Sequence, residues 1–194
     1  MRNRVSQGVS PARLLLWGLV LWGAGCAPLP RVEETPPESP SEVAYRAGLE
    51  AAVEGRHARA IEHFHEAASL DPLRSDAHYR AGICHYELGN YELEAVEYRK
   101  ALAISPLDAR VWRALGLARA SVDDLEGAQS AYGEAIRLEP RSEDYYNLAV
   151  VEEDLGRPER ARALFERCLE AGEAKVRLRA EQRLRALGAA DMGG

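Results

Sequence analysis

Three observations in this sequence predict an all-α fold, an α-solenoid of four helix-turn-helix units closed by a C-terminal capping helix. Pro72, Pro106 and Pro140 stand 34 residues apart, each ending a run that opens with an alanine, Ala67, Ala101 and Ala135. Small residues recur at the eighth register position (Gly48, Gly82, Gly116, Ala149) and aromatic rings at the twenty-fourth (Phe64, Tyr98, Tyr132, Phe165). Gly55, Gly89 and Gly156 recur at the fifteenth, where a first helix must stop and the chain reverse. A fixed period of this size marks a repeat array, in which each unit buries its apolar face against its neighbours.

From the N-terminus, residues 1–25 read as a signal peptide. Arg2, Arg4 and Arg13 precede the apolar run Leu14–Trp22, and small residues follow at Gly23, Ala24 and Gly25. The run is shorter than the ~20 apolar residues a membrane-spanning helix requires. Cleavage after Ala27 would place Pro28 at the scissile bond, so Cys26 is the better processing point. The segment resembles a bacterial lipobox: Ala24 and Gly25 match the residues before the lipidated cysteine, whereas Gly23 stands where leucine is usual. That resemblance implies that Cys26 carries the lipid and becomes the mature N-terminus, with Ala27 after it suiting delivery to the outer membrane, facing the periplasm. Several acyl chains, at about 0.8 kcal/mol per buried methylene, would hold the protein on the bilayer. Residues 26–40 then form a tether whose prolines, Pro28, Pro30, Pro36, Pro37 and Pro40, favour extended geometry reaching up to ~40 Å.

The four units follow at 41–74, 75–108, 109–141 and 142–173. In each, the small eighth residue lets two helices approach and the ring fills the space between them, while proline ends the second helix. Val176, Ala180, Leu184 and Leu187 recur at helical spacing, so 174–188 reads as the capping helix and 189–194 as a flexible tail. The opposite face of that helix carries Arg177, Arg179, Arg183 and Arg185, which suits either a solvated surface or a docking patch for lipid headgroups.

The units resemble the tetratricopeptide repeat. Trp112-Arg113-Ala114-Leu115-Gly116 matches the family's Trp-x-x-Leu-Gly in the first helix, and Ala128, Tyr132 and Ala135 match its Ala, aromatic and Ala in the second. The resemblance covers residue 41 to about 171. Two positions depart from it: Glu94 replaces a small residue, and Ala51, His85, Arg119 and Glu152 occupy the tyrosine position.

The net charge of −6 becomes about −9 once residues 1–25 and their three arginines are removed, leaving 22 basic against 31 acidic residues. That argues against a nucleic-acid partner, whose phosphates demand a basic surface. No phosphate loop, nucleophile elbow or Cys-x-x-Cys is present, so no enzyme, cofactor or metal is expected. His63 and His65 face different sides of one helix, and His78 and His85 share a packing face, which suits core histidines better than ligands. Cys84 and Cys168, in units two and four, are too far separated along the array for a disulfide.

The resemblance places one stripe of each first helix on the concave side. It holds Leu49, Ile83, Leu117 and Val150, flanked by Tyr45, Tyr79, Arg113 and Tyr146, with Tyr86 joining in unit two. Aliphatic residues flanked by tyrosine and arginine have the composition of a binding hot spot. The expected partner is therefore a protein or peptide segment in this groove, unless the tether or the end helix covers it. The lysine and asparagine of the family's carboxylate clamp are absent, Tyr45 and Leu49 standing in their places. Lipoproteins of this design are similar to those serving pilus secretin assembly, outer-membrane protein insertion and gliding motility. The alternative is an accessory that recruits a peptidoglycan hydrolase or synthase.

Overall fold

The computed structural model describes residues 37–171 and 173–191. The signal peptide, Cys26, most of the tether and residues 192–194 lie outside the described residues. Among these, nine helices and no strand occur: α1 (Pro40–Val53), α2 (His57–Leu70), α3 (Ser75–Glu87), α4 (Tyr91–Ile104), α5 (Ala109–Ser121), α6 (Leu125–Leu138), α7 (Ser142–Asp154), α8 (Pro158–Ala171) and α9 (Ala174–Asp191). None of the described helices is long and apolar enough to cross a membrane. Each helix packs chiefly on its sequence neighbours, so the contacts run along a single line. This is the expected all-α solenoid.

Helix starts follow local chemistry. The Ser39 hydroxyl accepts the Glu42 amide at 3.1 Å, with Pro40 preset for the first turn of α1. Asp108 accepts from the Arg110 amide and Asp124 from the Gly127 amide, each at 3.0 Å. Gly55, Gly89 and Gly156 turn their chains at φ of 73°, 73° and 70°. Unit three makes the same turn with Asp123 at φ 62°, a non-glycine residue in the left-handed region. Aspartate is among the few side chains that tolerate this conformation.

The recurring glycine and ring are in direct contact. A Cβ added at Gly48 would lie 2.6 Å from the Phe64 ring, at Gly82 2.4 Å from Tyr98, and at Gly116 2.9 Å from Tyr132. These rings are buried, and each carries its unit's share of the core. Cys84 and Cys168 are free, buried thiols. Cys168 donates to the carbonyls of Leu164 at 3.3 Å and Ser142 at 3.4 Å.

The apolar core is divided within unit two. One cluster joins α1, α2 and α3, from Ala44 to Cys84; another begins on α4 with Ala95 and Tyr98 and continues to Val111, Leu115 and Ala131. On α4 two carboxylates are buried, Glu94 at 2% exposure and Glu97 at 3%. Glu97 is gripped from three helices: His78 at 2.8 Å, Lys100 at 2.7 Å and His65 at 3.3 Å. Burial would raise its carboxyl, but these partners together outweigh burial and hold it down at about 2. Burial pushes Glu94 up to about 7, with a Tyr98 hydrogen bond opposing. His78 is therefore a satisfied core histidine. His85 Nδ1 has no hydrogen-bond partner among the described residues, and burial lowers the pKa of that ring.

Candidate partner-binding groove

The side chains of Tyr45, Leu49, Tyr79, Ile83, Arg113, Tyr146 and Val150 are half-buried, while Tyr86 and Leu117 are exposed at 45% and 49%. The tyrosines pack downward onto the repeat rings: Tyr45 on Phe64 at 5.6 Å, Tyr79 on Tyr98 at 5.8 Å and Tyr146 on Phe165 at 5.5 Å between centroids. Each thus presents an aromatic surface whose position is fixed from below. Tyr86 instead pairs with Tyr91 across the α3–α4 turn, at 6.0 Å.

Arginines lie against these rings. Arg74 sits 5.0 Å from the Tyr45 centroid, Arg110 5.7 Å from Tyr79 and Arg179 3.9 Å from Tyr146. Burial raises the Tyr45 hydroxyl, and Arg80 close by opposes that rise. Unit three breaks the series by placing Arg113 where the others have tyrosine. Its Nε donates to both oxygens of the fully buried Asp144, at 2.6 and 2.8 Å. Burial pushes the Asp144 carboxyl up, and the Arg113 bonds recover only part of that. Arg113 therefore fastens α5 to α7, a cross-unit role that its position in the repeat did not announce.

Leu117, Tyr146 and Val150 come together in one cleft of about 380 Å³, walled by Arg179 and Arg183 of α9 and by Asn147, Asp123 and Asp154. The end helix packs on α8 and touches α7, as the first helix of a further unit would. At unit four it is therefore a wall of the groove, and two of the arginines expected on a solvated or lipid-facing surface line this cleft, Arg179 while remaining exposed. A signal for this existed. Arg179 lies 33 residues after Tyr146, much as Arg80 lies 35 after Tyr45, about one repeat in each case.

A larger hollow, about 820 Å³, opens at the turns between units, around Pro106, Leu107, Asp108 and Glu139. Its charges are already paired, Arg110 with Asp108 at 2.8 Å and Arg141 with Glu139 at 2.7 Å. It offers turn backbone and satisfied ions, whereas the first-helix row offers rings and aliphatic side chains. That row is the better candidate site. Among the described residues no group of three or more His, Cys, Asp or Glu could hold a metal ion.

Comparison with known proteins agrees with this architecture. The tetratricopeptide repeat model matches residues 45–109 and 113–176. No curated protein matches the chain by sequence. Among solved structures, PilF of Pseudomonas aeruginosa is 26% identical over 78% of this chain and 69% of that one, with a TM-score of 0.64. MamA from Desulfovibrio magneticus RS-1 is 26% identical over 69% of this chain and 76% of that one, with a TM-score of 0.62. YrrB, a repeat protein with an unusual peptide-binding site, shares the fold at a TM-score of 0.66, 19% identical over 74% of this chain and 75% of that one. Such repeats generally serve as non-enzymatic scaffolds for protein interaction, and no enzyme family is indicated. With its periodic prolines, its glycine-to-ring contacts and a family model matched over most of its length, this chain belongs to the tetratricopeptide repeat family.

Proposed function

We propose that this protein is a lipid-anchored adaptor of the bacterial cell envelope, tied to the membrane through Cys26, whose concave groove holds an apolar segment of a partner during assembly of an envelope machine. The observation that carries the reading is the row Tyr79, Ile83, Leu117, Tyr146 and Val150. Its tyrosines are fixed from below by the buried rings, and its aliphatic side chains are accessible enough to receive a ligand. Rigid aromatic area beside an aliphatic floor is what a hot spot needs, because little side-chain entropy is lost on binding. The fold likeness to PilF and MamA is compatible with an adaptor role. The anchor rests on the basic-apolar-small leader and on Pro28, which disfavours the alternative cut.

Two measurements test the proposal. Radiolabelled palmitate enters the wild-type protein and is lost from Cys26→Ser; label retained in that variant would overturn the anchor. Crosslinking in intact cells followed by detergent extraction yields a discrete partner band that Leu117→Asp abolishes at unchanged helical circular dichroism. An undiminished band moves the binding surface off the groove.

A further inference from the structure

The two arginines of the cleft between α5, α7 and α9 differ in one respect. Arg183 is committed, its Nε 3.1 Å from Glu153. Arg179 makes no ion pair among the described residues; its guanidinium rests 3.9 Å above the Tyr146 ring and is exposed. Tyr146 is itself held by Phe165. A guanidinium stacked on a fixed ring loses much of its rotational freedom, while its exposed N–H edge has no ion-pair partner among the described residues and stays open to a ligand. That edge presents a planar fork, the geometry that matches a carboxylate through two parallel hydrogen bonds. Leu117 and Val150 line the same cleft, with the Asn147 amide beside them.

The cleft is also polar along its length. Asp154 lies eight residues beyond Tyr146 on α7, roughly 12 Å along the helix axis at 1.5 Å per residue. Asp123, at the α5–α6 turn, lines the cleft as well. These two carboxylates repel a second acid at that end, so the cleft discriminates by position and not by net charge.

We propose that this cleft is a subsite for a side-chain carboxylate, an aspartate or glutamate of the partner segment, held by Arg179 while an adjoining aliphatic residue packs on Leu117 and Val150. The proposal rests on the groove reading above and specifies the chemistry of its C-terminal third. Here the end helix is the part of the array that reads an acidic determinant.

The test is selection of random peptides, displayed between fixed linkers so that no free terminus is offered, against the immobilised full-length protein in detergent. Wild type enriches peptides in which one Asp or Glu adjoins Leu, Ile or Val. Arg179→Gln keeps the aliphatic preference and loses the acidic one, and a peptide selected on wild type binds it about 10- to 100-fold more weakly, as expected for loss of a charged hydrogen bond. Arg179→Lys, which keeps the charge without the fork, falls between the two. Aliphatic enrichment without an acidic preference in wild type, or an acidic preference that survives Arg179→Gln, overturns this inference and leaves the groove standing. Absence of any enrichment sensitive to Leu117→Asp overturns both.

Discussion

Units two and three share a backbone but not an interior. In unit three the second helix buries Ala128 and Ala131; at the same register, unit two buries Glu94 and Glu97. Unit three carries Trp112 at its fourth position, whose indole N–H donates to the Pro106 carbonyl at 2.8 Å, and unit two has His78 in that place, turned to Glu97. The ring-on-glycine contact is present in both, Tyr98 on Gly82 and Tyr132 on Gly116. The repeat therefore tolerates carboxylates at buried positions provided the ring and the glycine are kept. What it cannot do is treat them alike. One turn apart on α4, Glu97 has three partners and is held ionised, whereas Glu94 has a tyrosine hydroxyl and is driven toward its neutral form.

The largest effect expected is at Glu97. Glu97→Gln removes the acceptor that His65, His78 and Lys100 share, and at pH 7 the cost is about 3 kcal/mol, the worth of a carboxyl held down from its ordinary value to about 2 on folding. Because the folded carboxyl is held below its ordinary value, its contribution is present above the ordinary carboxylate range and is lost as pH falls toward 2. Urea midpoints at pH 7 measure this, and an unchanged midpoint would mean that the clasp holds nothing.

Glu94 works in the opposite direction. Its folded carboxyl is raised, so its contribution is full below the ordinary carboxylate range and is lost as pH rises through about 7. Displacing a carboxyl by one pH unit on folding is worth ~1.4 kcal/mol, so Glu94→Gln is expected to gain about 2–3 kcal/mol at pH 8 and nearly nothing at pH 4.5. Equal gains at both values would assign the effect to packing and dissolve the contrast with Glu97.

The smallest effect belongs to unit three. Gly133 lies inside α6 with nothing within 4 Å of the position a Cβ would take. Gly133→Ala should stabilise by about 0.8–1 kcal/mol through helix propensity alone, raising the melting temperature by a few degrees. A loss of stability there would show that α6 packs differently from its counterpart α4.

Much of this is legible in the sequence. Gly48, Gly82 and Gly116 can be paired with their rings from register alone, because a strict repeat turns a tertiary contact into a sequence interval. The aliphatic row is legible for the same reason. The turn at Asp123 escapes because glycine is the expected signal, although aspartate carries a weaker form of it. The clasp around Glu97 escapes for a deeper cause: its partners come from α2, α3 and α4 and occupy unrelated register positions, so no interval links them. Arg113 stands in the sequence as a charge for a partner, and only the burial of Asp144 thirty-one residues on shows where that guanidinium goes.

The two buried thiols of the described residues acquire a use from their surroundings. Cys84 and Cys168 sit at 2% and 0% exposure, and burial raises both, Cys168 to about 11. Since the thiolate is the nucleophile, neither reacts with an alkylating reagent at neutral pH while its helix pair is closed. Each becomes reactive only when its own segment opens. One thiol belongs to the core cluster of α1, α2 and α3 and the other to the last unit, so their labelling rates are two separate clocks on one molecule. Rates that coincide describe a solenoid that opens as a whole, and rates that diverge describe one that frays from an end, unit by unit.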